Sequence, residues 1–142
     1  MMSAERGLRR WHAAVEGGND AAVLGAMIAV DAVFHSPVVH TPQKGRPIVT
    51  AYLAAAGQTL ANDSFRYVRE ITDSGGRDHA LVFEATVAGK KVTGCDFIHV
   101  NDAGLIDDFM VMVRPLSGAT ALSEAMAAQF DRIQAEAAGH SS

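Results

Sequence analysis

Leu81-Val82-Phe83-Glu84-Ala85-Thr86-Val87, Ala88-Gly89-Lys90-Lys91 and Val92-Thr93-Gly94-Cys95-Asp96-Phe97-Ile98-His99-Val100 run on without a break, and this stretch decides the fold. Two runs rich in β-branched and aromatic residues flank a short glycine-containing turn, the pattern of an antiparallel hairpin. With Gly89 and Lys90 as the loop, Ala88 pairs with Lys91, Phe83 falls opposite Asp96, and Ala85 opposite Gly94. One face then carries Leu81, Phe83, Ala85, Val87, Val92, Gly94, Asp96, Ile98 and Val100; the other carries Glu84, Thr86, Thr93, Cys95, Phe97 and His99. The first face is apolar except for Asp96, so it should meet the core. A one-residue slip would turn one strand over and spoil the match. An ionised, unpaired aspartate on such a face costs several kcal/mol of lost hydration. Asp96 therefore pairs with a cation such as Arg114, accepts backbone hydrogen bonds, titrates at a raised pKa, or lines a wet cavity. The last two are how functional sites are built.

Outward from the hairpin, residues 65–71 alternate as a strand and Asp73-Ser74-Gly75-Gly76 turns the chain. Asn101-Asp102-Ala103-Gly104 is a further turn, leading to a strand over residues 105–114 that Pro115 ends. With that turn closing at Gly104, Met110 and Met112 are expected to face inward and Asp107 outward. Before the sheet, residues 3–17 place Leu8, Trp11, His12 and Val15 on one helical stripe, with Ser3 as N-cap and Gly17-Gly18 as the stop. Asn19 can cap a short second helix carrying Val23, Leu24, Met27 and Ile28, and residues 32–37 read as a short strand ended by Pro37. Gly45-Arg46-Pro47 opens a third helix with Val49, Tyr52, Leu53 and Ala56 inward. Residues 119–135 form a last helix on the stripe Leu122, Met126, Phe130 and Ile133. The order predicts segregated α+β: a curled antiparallel sheet wrapped by three N-terminal helices, plus a C-terminal helix. The chain of 142 residues reads as one domain with a core over about 4–136 and a small, polar, frayed tail over 137–142.

Composition narrows the function classes. A net charge of −4 without a basic stripe argues against a nucleic-acid surface. Met1-Met2-Ser3-Ala4-Glu5-Arg6 lacks the apolar stretch of a signal peptide, and no run approaches the ~20 apolar residues that span a bilayer. A single cysteine, Cys95, allows no internal disulfide and no cysteine-based zinc site, and a cytoplasmic protein is expected. His12, His79, His99 and His140 lie on different elements without ligand spacing, so neither a metal nor a cofactor is expected. Cys95 reads as a small hydrophobe, and the paired glycines as turns and not a phosphate loop.

Trp11-His12-Ala13-Ala14-Val15-Glu16-Gly17-Gly18-Asn19-Asp20, Asp31-Ala32-Val33-Phe34-His35-Ser36-Pro37, Gly45-Arg46-Pro47, Gly94-Cys95-Asp96-Phe97, Gly104-Leu105-Ile106 and Arg114-Pro115-Leu116 occur in an order that resembles the nuclear transport factor 2-like superfamily, SnoaL-like proteins included. The resemblance spans Leu8 to about Phe130 and implies a cone-shaped α+β barrel with a deep pocket. It also implies a homodimer through the outer sheet face. Several activities share this fold. Ketosteroid isomerases are similar around Asp96, which falls where they hold an oxyanion-stabilising aspartate. Trp11 stands where they have a tyrosine, and Ser36 where they have the carboxylate base; serine is no base at neutral pH, so the usual isomerase mechanism is not expected. SnoaL-type cyclases imply Asp96 as general acid/base for an aldol step, with His35 assisting. Limonene-epoxide-hydrolase-like members imply an Asp-Arg-Asp set, for which Asp96, Arg114 and Asp108 are the nearest candidates. A non-catalytic binder would use the same pocket, lined by Trp11, Phe34, Ser36, Tyr52, Phe83, Ile98, Met110 and Met112, for a small hydrophobic molecule with one polar group. A dimerisation module with a vestigial pocket is a third reading.

Overall fold

The computed structural model describes residues 2–18, 20–60 and 63–140; in residues 2–7, 132, 136, 139 and 140 only the backbone is described. In chain order the elements are α1 (Met2–Glu16), α2 (Ala21–Gly25), β1 (Ile28–His35), β2 (Gln43–Lys44), α3 (Arg46–Leu60), β3 (Arg66–Thr72), β4 (Asp78–Val87), β5 (Lys90–Val100), β6 (Ile106–Arg114), α4 (Leu116–Ala127) and α5 (Phe130–His140). The expected α+β order is present. The expected cap Asn19 lies outside the described residues; Asp20 caps α2, its carboxylate accepting from the backbone N–H of Ala22 at 2.9 Å and of Val23 at 3.2 Å. Ser3 sits inside α1, not at its cap. Strand β1 begins at Ile28, where a helical stripe was expected, because a short apolar run suits a buried strand as well as a buried helix. The single C-terminal helix divides into α4 and α5, and α5 continues to His140 through the stretch expected to fray. No helix among the described residues is long and apolar enough to cross a membrane.

The six strands form one open sheet in the order β2-β1-β6-β5-β4-β3, antiparallel except for the parallel pair β1–β6. Register shifts interrupt β1–β6, β3–β4 and β5–β6. Such bulges bend and twist a sheet, and they curl this one. The β4–β5 hairpin alternates buried positions with half-buried or exposed ones. Its register differs from the expected one by two residues: Phe83 pairs with Gly94, Leu81 with Asp96, and Val87 with Lys90. The loop is Ala88-Gly89, both with positive φ (50° and 78°), the geometry of a tight two-residue hairpin turn. An even slip keeps every side chain on its face, so the division into inner and outer faces survives the correction.

Helix α3 lies on the inner face, with Val49, Ala51, Tyr52, Leu53, Ala54 and Ala55 all buried. Its run of small residues lets the sheet approach closely. Phe83, Phe109, Leu81 and Ile98 are fully buried on the same face of the sheet. Each such side chain contributes about 1.5–3 kcal/mol by leaving water. Helix α4 also packs on the sheet: a Cβ on Gly118 would lie 2.9 Å from the Lys91 carbonyl oxygen, so only glycine permits that approach.

Candidate functional site

Among the described residues, the inner face holds one buried acidic group. Asp96 is 6% exposed and lies between Leu81 of β4 and Val111 of β6 in the sheet. Among the described residues it has no cationic partner. Arg114, the proposed counter-ion, falls opposite Thr93, three positions along β6 from Val111. The partner is a hydroxyl: Tyr67 of β3 donates its O–H to Asp96 Oδ2 at 2.6 Å. Trp11 of α1 in turn donates its indole N–H to Tyr67 Oη at 2.9 Å. A donor chain thus runs Trp11 to Tyr67 to Asp96, drawing one residue each from a helix and two strands.

Burial pushes the Asp96 carboxyl up to about 7, against the opposing pull of the Tyr67 hydrogen bond. Burial and the adjacent Asp96 charge hold the Tyr67 phenol well above the ordinary tyrosine range, so it stays protonated. The pair is a carboxyl pushed up toward neutrality beside a hydroxyl that keeps its proton.

These groups border a cavity of about 50 Å³ whose other walls, Ser36 apart, are apolar, among them Phe34, Leu53, Phe83, Phe109, Leu122 and Met126. The aromatic walls brace each other: Phe65 stacks on Phe83 at 5.2 Å and meets the Tyr67 edge at 5.1 Å, while Trp11 meets Phe109 edge-on at 4.9 Å. Gly94 fixes this arrangement from below. A Cβ there would lie 2.3 Å from Phe83 Cζ and 2.9 Å from the Met112 carbonyl oxygen, so the Phe83 ring lies in the space that a side chain on the facing strand would fill. Ser36 and Pro37 close one side of the cavity, the Ser36 Oγ accepting the Val38 backbone N–H at 3.2 Å.

Of the residues singled out from the sequence, Trp11, Phe34, Ser36, Phe83 and Asp96 come together at the cavity. Tyr52 and Ile98 are buried in the core but are not part of the cavity wall. His35 does not join Asp96. A strand that turns Phe34 inward turns His35 outward, and His35 Nε2 lies 3.0 Å from Asp108 Oδ1 on that side. The inward expectation for Met110 and Met112 is corrected. The register shift beside Val100 adds a residue to β6, so that Phe109 and Val111 face the core while Met110 and Met112 stand opposite outer-face Phe97 and Cys95. Asp107 does face outward, 2.6 Å from His99 Nδ1. Asp108 and Arg114 therefore do not converge on Asp96 as an Asp-Arg-Asp set. Tyr67 was not anticipated. Its signal was available: Phe65 and Tyr67 are two aromatics at strand period on the neighbour of the Phe83 strand. No three His, Cys, Asp or Glu side chains converge as a metal site among the described residues.

Residues 8–109 match the SnoaL-like domain family, well over half of the chain. The chain belongs to the SnoaL-like domain family. This family lies within the nuclear transport factor 2-like superfamily. Among solved structures, the chain is 36% identical to a steroid delta-isomerase from Pseudomonas aeruginosa, with a TM-score of 0.87 over 95% of this chain and 96% of that one. It is 33% identical to an uncharacterized bacterial protein with a cystatin-like fold from Silicibacter pomeroyi DSS-3, at a TM-score of 0.79 over 87% and 84% of the two chains. The fold alone is shared with SalBIII, an epoxide hydrolase/cyclase-like enzyme in salinomycin pyran-ring formation, at 16% identity and a TM-score of 0.64 over 83% and 97%. No match was found among curated proteins.

Proposed function

We propose that this SnoaL-like protein performs cofactor-independent proton transfer on a small hydrophobic carbonyl compound, with Asp96 as the general acid/base. One observation carries the reading: a buried carboxyl borders an apolar cavity with a single hydroxyl partner and no cation beside it among the described residues, and burial pushes its pKa up to about 7. A group poised near the working pH can both take a proton from carbon and return it, which one-carboxylate chemistry requires. The Pseudomonas relative makes a cyclic, steroid-like ketone the scaffold to test first. The usual isomerase set is still altered, because Ser36 cannot act as a base. Tyr67 supplies a tyrosine hydroxyl from β3, where the resemblance had looked for one at Trp11. A cavity of about 50 Å³ is far below the ~300 Å³ typical of a drug-sized site. A steroid-sized substrate therefore requires the cavity to widen.

The test follows α-proton exchange and double-bond migration of 3-cyclohexenone by NMR in D₂O. Wild type should catalyse both, and Asp96→Asn should lose about 10²–10⁴-fold. Unchanged turnover in Asp96→Asn would remove Asp96 from the chemistry.

A second reading, a non-catalytic binding domain, draws on a specific observation: no other carboxylate or histidine borders the cavity among the described residues. Saturable binding of the ketone without exchange would favour it. The outer sheet face is our candidate for a homodimer contact, since Phe97 is 40% and Met112 55% exposed there. A monomeric mass by sedimentation at micromolar concentration would remove that assignment.

A further inference from the structure

The polar atoms around the cavity have a fixed hydrogen-bond arithmetic. The one N–H of Trp11 is given to Tyr67, and the one O–H of Tyr67 is given to Asp96 Oδ2. Both donors are spent within the protein. Asp96 Oδ1 has no partner among the described residues. It also differs from Thr50 Oγ1, His79 Nε2 and Gln129 Oε1, which are sealed in the interior without partners, so it retains surface toward the cavity. Ser36 Oγ uses a lone pair on the Val38 N–H, and its own hydrogen has no acceptor among the described residues. The rest of the wall is apolar. With Asp96 ionised, the cavity therefore offers one strong acceptor at Oδ1 and one donor at Ser36.

We infer that the preferred ligand is a hydroxy-carbonyl compound, on a compact alicyclic or aromatic skeleton, whose hydroxyl donates to Asp96 Oδ1 and whose carbonyl oxygen accepts from Ser36 Oγ–H. This deepens the proposed function and rests on its reading of the cavity as a small-molecule pocket. The polarity is the reverse of an oxyanion site, in which the protein donates to the ligand oxygen at the aspartate. The reversal follows from Tyr67. Its hydrogen is spent on Asp96 Oδ2 and cannot reach a ligand, and once Asp96 is ionised its Oδ1 can only accept. A buried acceptor left unpaired by the ligand costs more than a missing contact.

Trp11 is the only tryptophan of the chain and lies at the end of the donor chain, so its emission reports on the site directly. At pH 9, where Asp96 is ionised, 2-hydroxycyclohexanone, cyclohexanol and cyclohexanone are titrated against the full-length protein. The hydroxy-ketone should bind at least about tenfold tighter than the plain ketone. In Asp96→Asn the Tyr67 O–H retains the amide oxygen and the amide NH₂ takes the place of Oδ1, so this preference should fall to about unity. Ser36→Ala should weaken both ketone probes by about three- to tenfold and leave cyclohexanol unchanged. A wild-type protein that binds cyclohexanone as well as the hydroxy-ketone overturns the inference, and so does a preference that survives in Asp96→Asn. In either case saturable binding leaves the pocket reading standing. If no probe gives a saturable change, the pocket reading itself fails and the inference falls with it. The wild-type ranking is decisive even if a variant does not fold.

Discussion

The two faces of the sheet treat their charges in opposite ways. On the outer face Asp107 and Asp108 each lie within hydrogen-bond reach of a histidine, His99 at 2.6 Å and His35 at 3.0 Å, and all four side chains keep contact with water. On the inner face Asp96 is buried with a tyrosine hydroxyl and, among the described residues, no cation. The outer pairs are ordinary surface electrostatics, and the Asp107 hydrogen bond raises His99 above its usual pKa. The inner carboxyl is displaced in its own titration by burial, the larger effect, which a single neutral donor only partly offsets. The difference between a surface charge and a chemical group thus lies in what surrounds the oxygen and not in the residue type.

The largest expected effect breaks this contrast by making the inner carboxyl neutral. Asp96 has an ordinary pKa of 3.8 when unfolded and about 7 when folded. Between these values the folded state holds a proton that the unfolded state has lost, so stability falls as pH rises, and the loss is complete above the folded value. The full span is on the order of 4 kcal/mol. Urea melts of wild type should therefore lose about that much between pH 4 and 8. Asp96→Asn should be nearly flat over the same window and more stable than wild type at pH 8. Parallel profiles for the two proteins would mean that Asp96 is not buried in this way.

The inner acid was legible from the sequence for a physical reason, and so were the limits of that reading. Alternation along residues 81–100 assigns faces without needing the exact register, so Asp96 stood out even though the hairpin was placed two residues off. The register itself depends on where the Phe83 ring fits. Over Gly94 it finds the space a side chain would occupy, and that preference overrides the choice of Gly89-Lys90 as the loop. Bulges are the second limit. One in β6 reversed the expected faces of Met110 and Met112, and one between Tyr67 and Arg69 leaves Ile71 58% exposed despite sharing its alternation with Tyr67. Tyr67 itself was hidden because the contact joins strands 29 residues apart in sequence. Alternation from Phe34 sends His35 outward, which nearness to the cavity mouth in sequence does not reveal.

A smaller effect sharpens the comparison by weakening the one neutral partner of the acid. Tyr67→Phe leaves Asp96 Oδ2 and the Trp11 N–H without their partner, at a cost of about 1–3 kcal/mol. The Tyr67 hydrogen bond lowers the Asp96 pKa, so its removal should raise that pKa further. The destabilisation should accordingly be larger at pH 9, where the carboxylate is charged, than at pH 5. Melts at the two pH values check this, with the change in Trp11 emission as a second readout. An equal loss at both pH values would show that the hydroxyl does not discriminate between the protonation states of Asp96.

The smallest effect belongs to the outer face and tests whether its charges are as ordinary as they look. His99 has its pKa raised, first by the Asp107 hydrogen bond, so the folded state holds a proton that the unfolded state loses above 6.5. The stabilisation is complete below 6.5 and disappears as pH rises through the folded value. Both side chains are partly exposed, so screening limits the contribution to roughly 0.5–1 kcal/mol. His99→Gln should remove this increment at pH 6 and change nothing at pH 9. Salt separates it from the Asp96 contribution, which also falls with rising pH. Raising ionic strength to about 1 M shortens the screening length to about 3 Å, so the difference between wild type and His99→Gln should shrink, while the Asp96 slope, set by loss of hydration, should persist. A His99 effect that survives high salt would place that pair in a drier setting, as a partner subunit packed on the outer face would create.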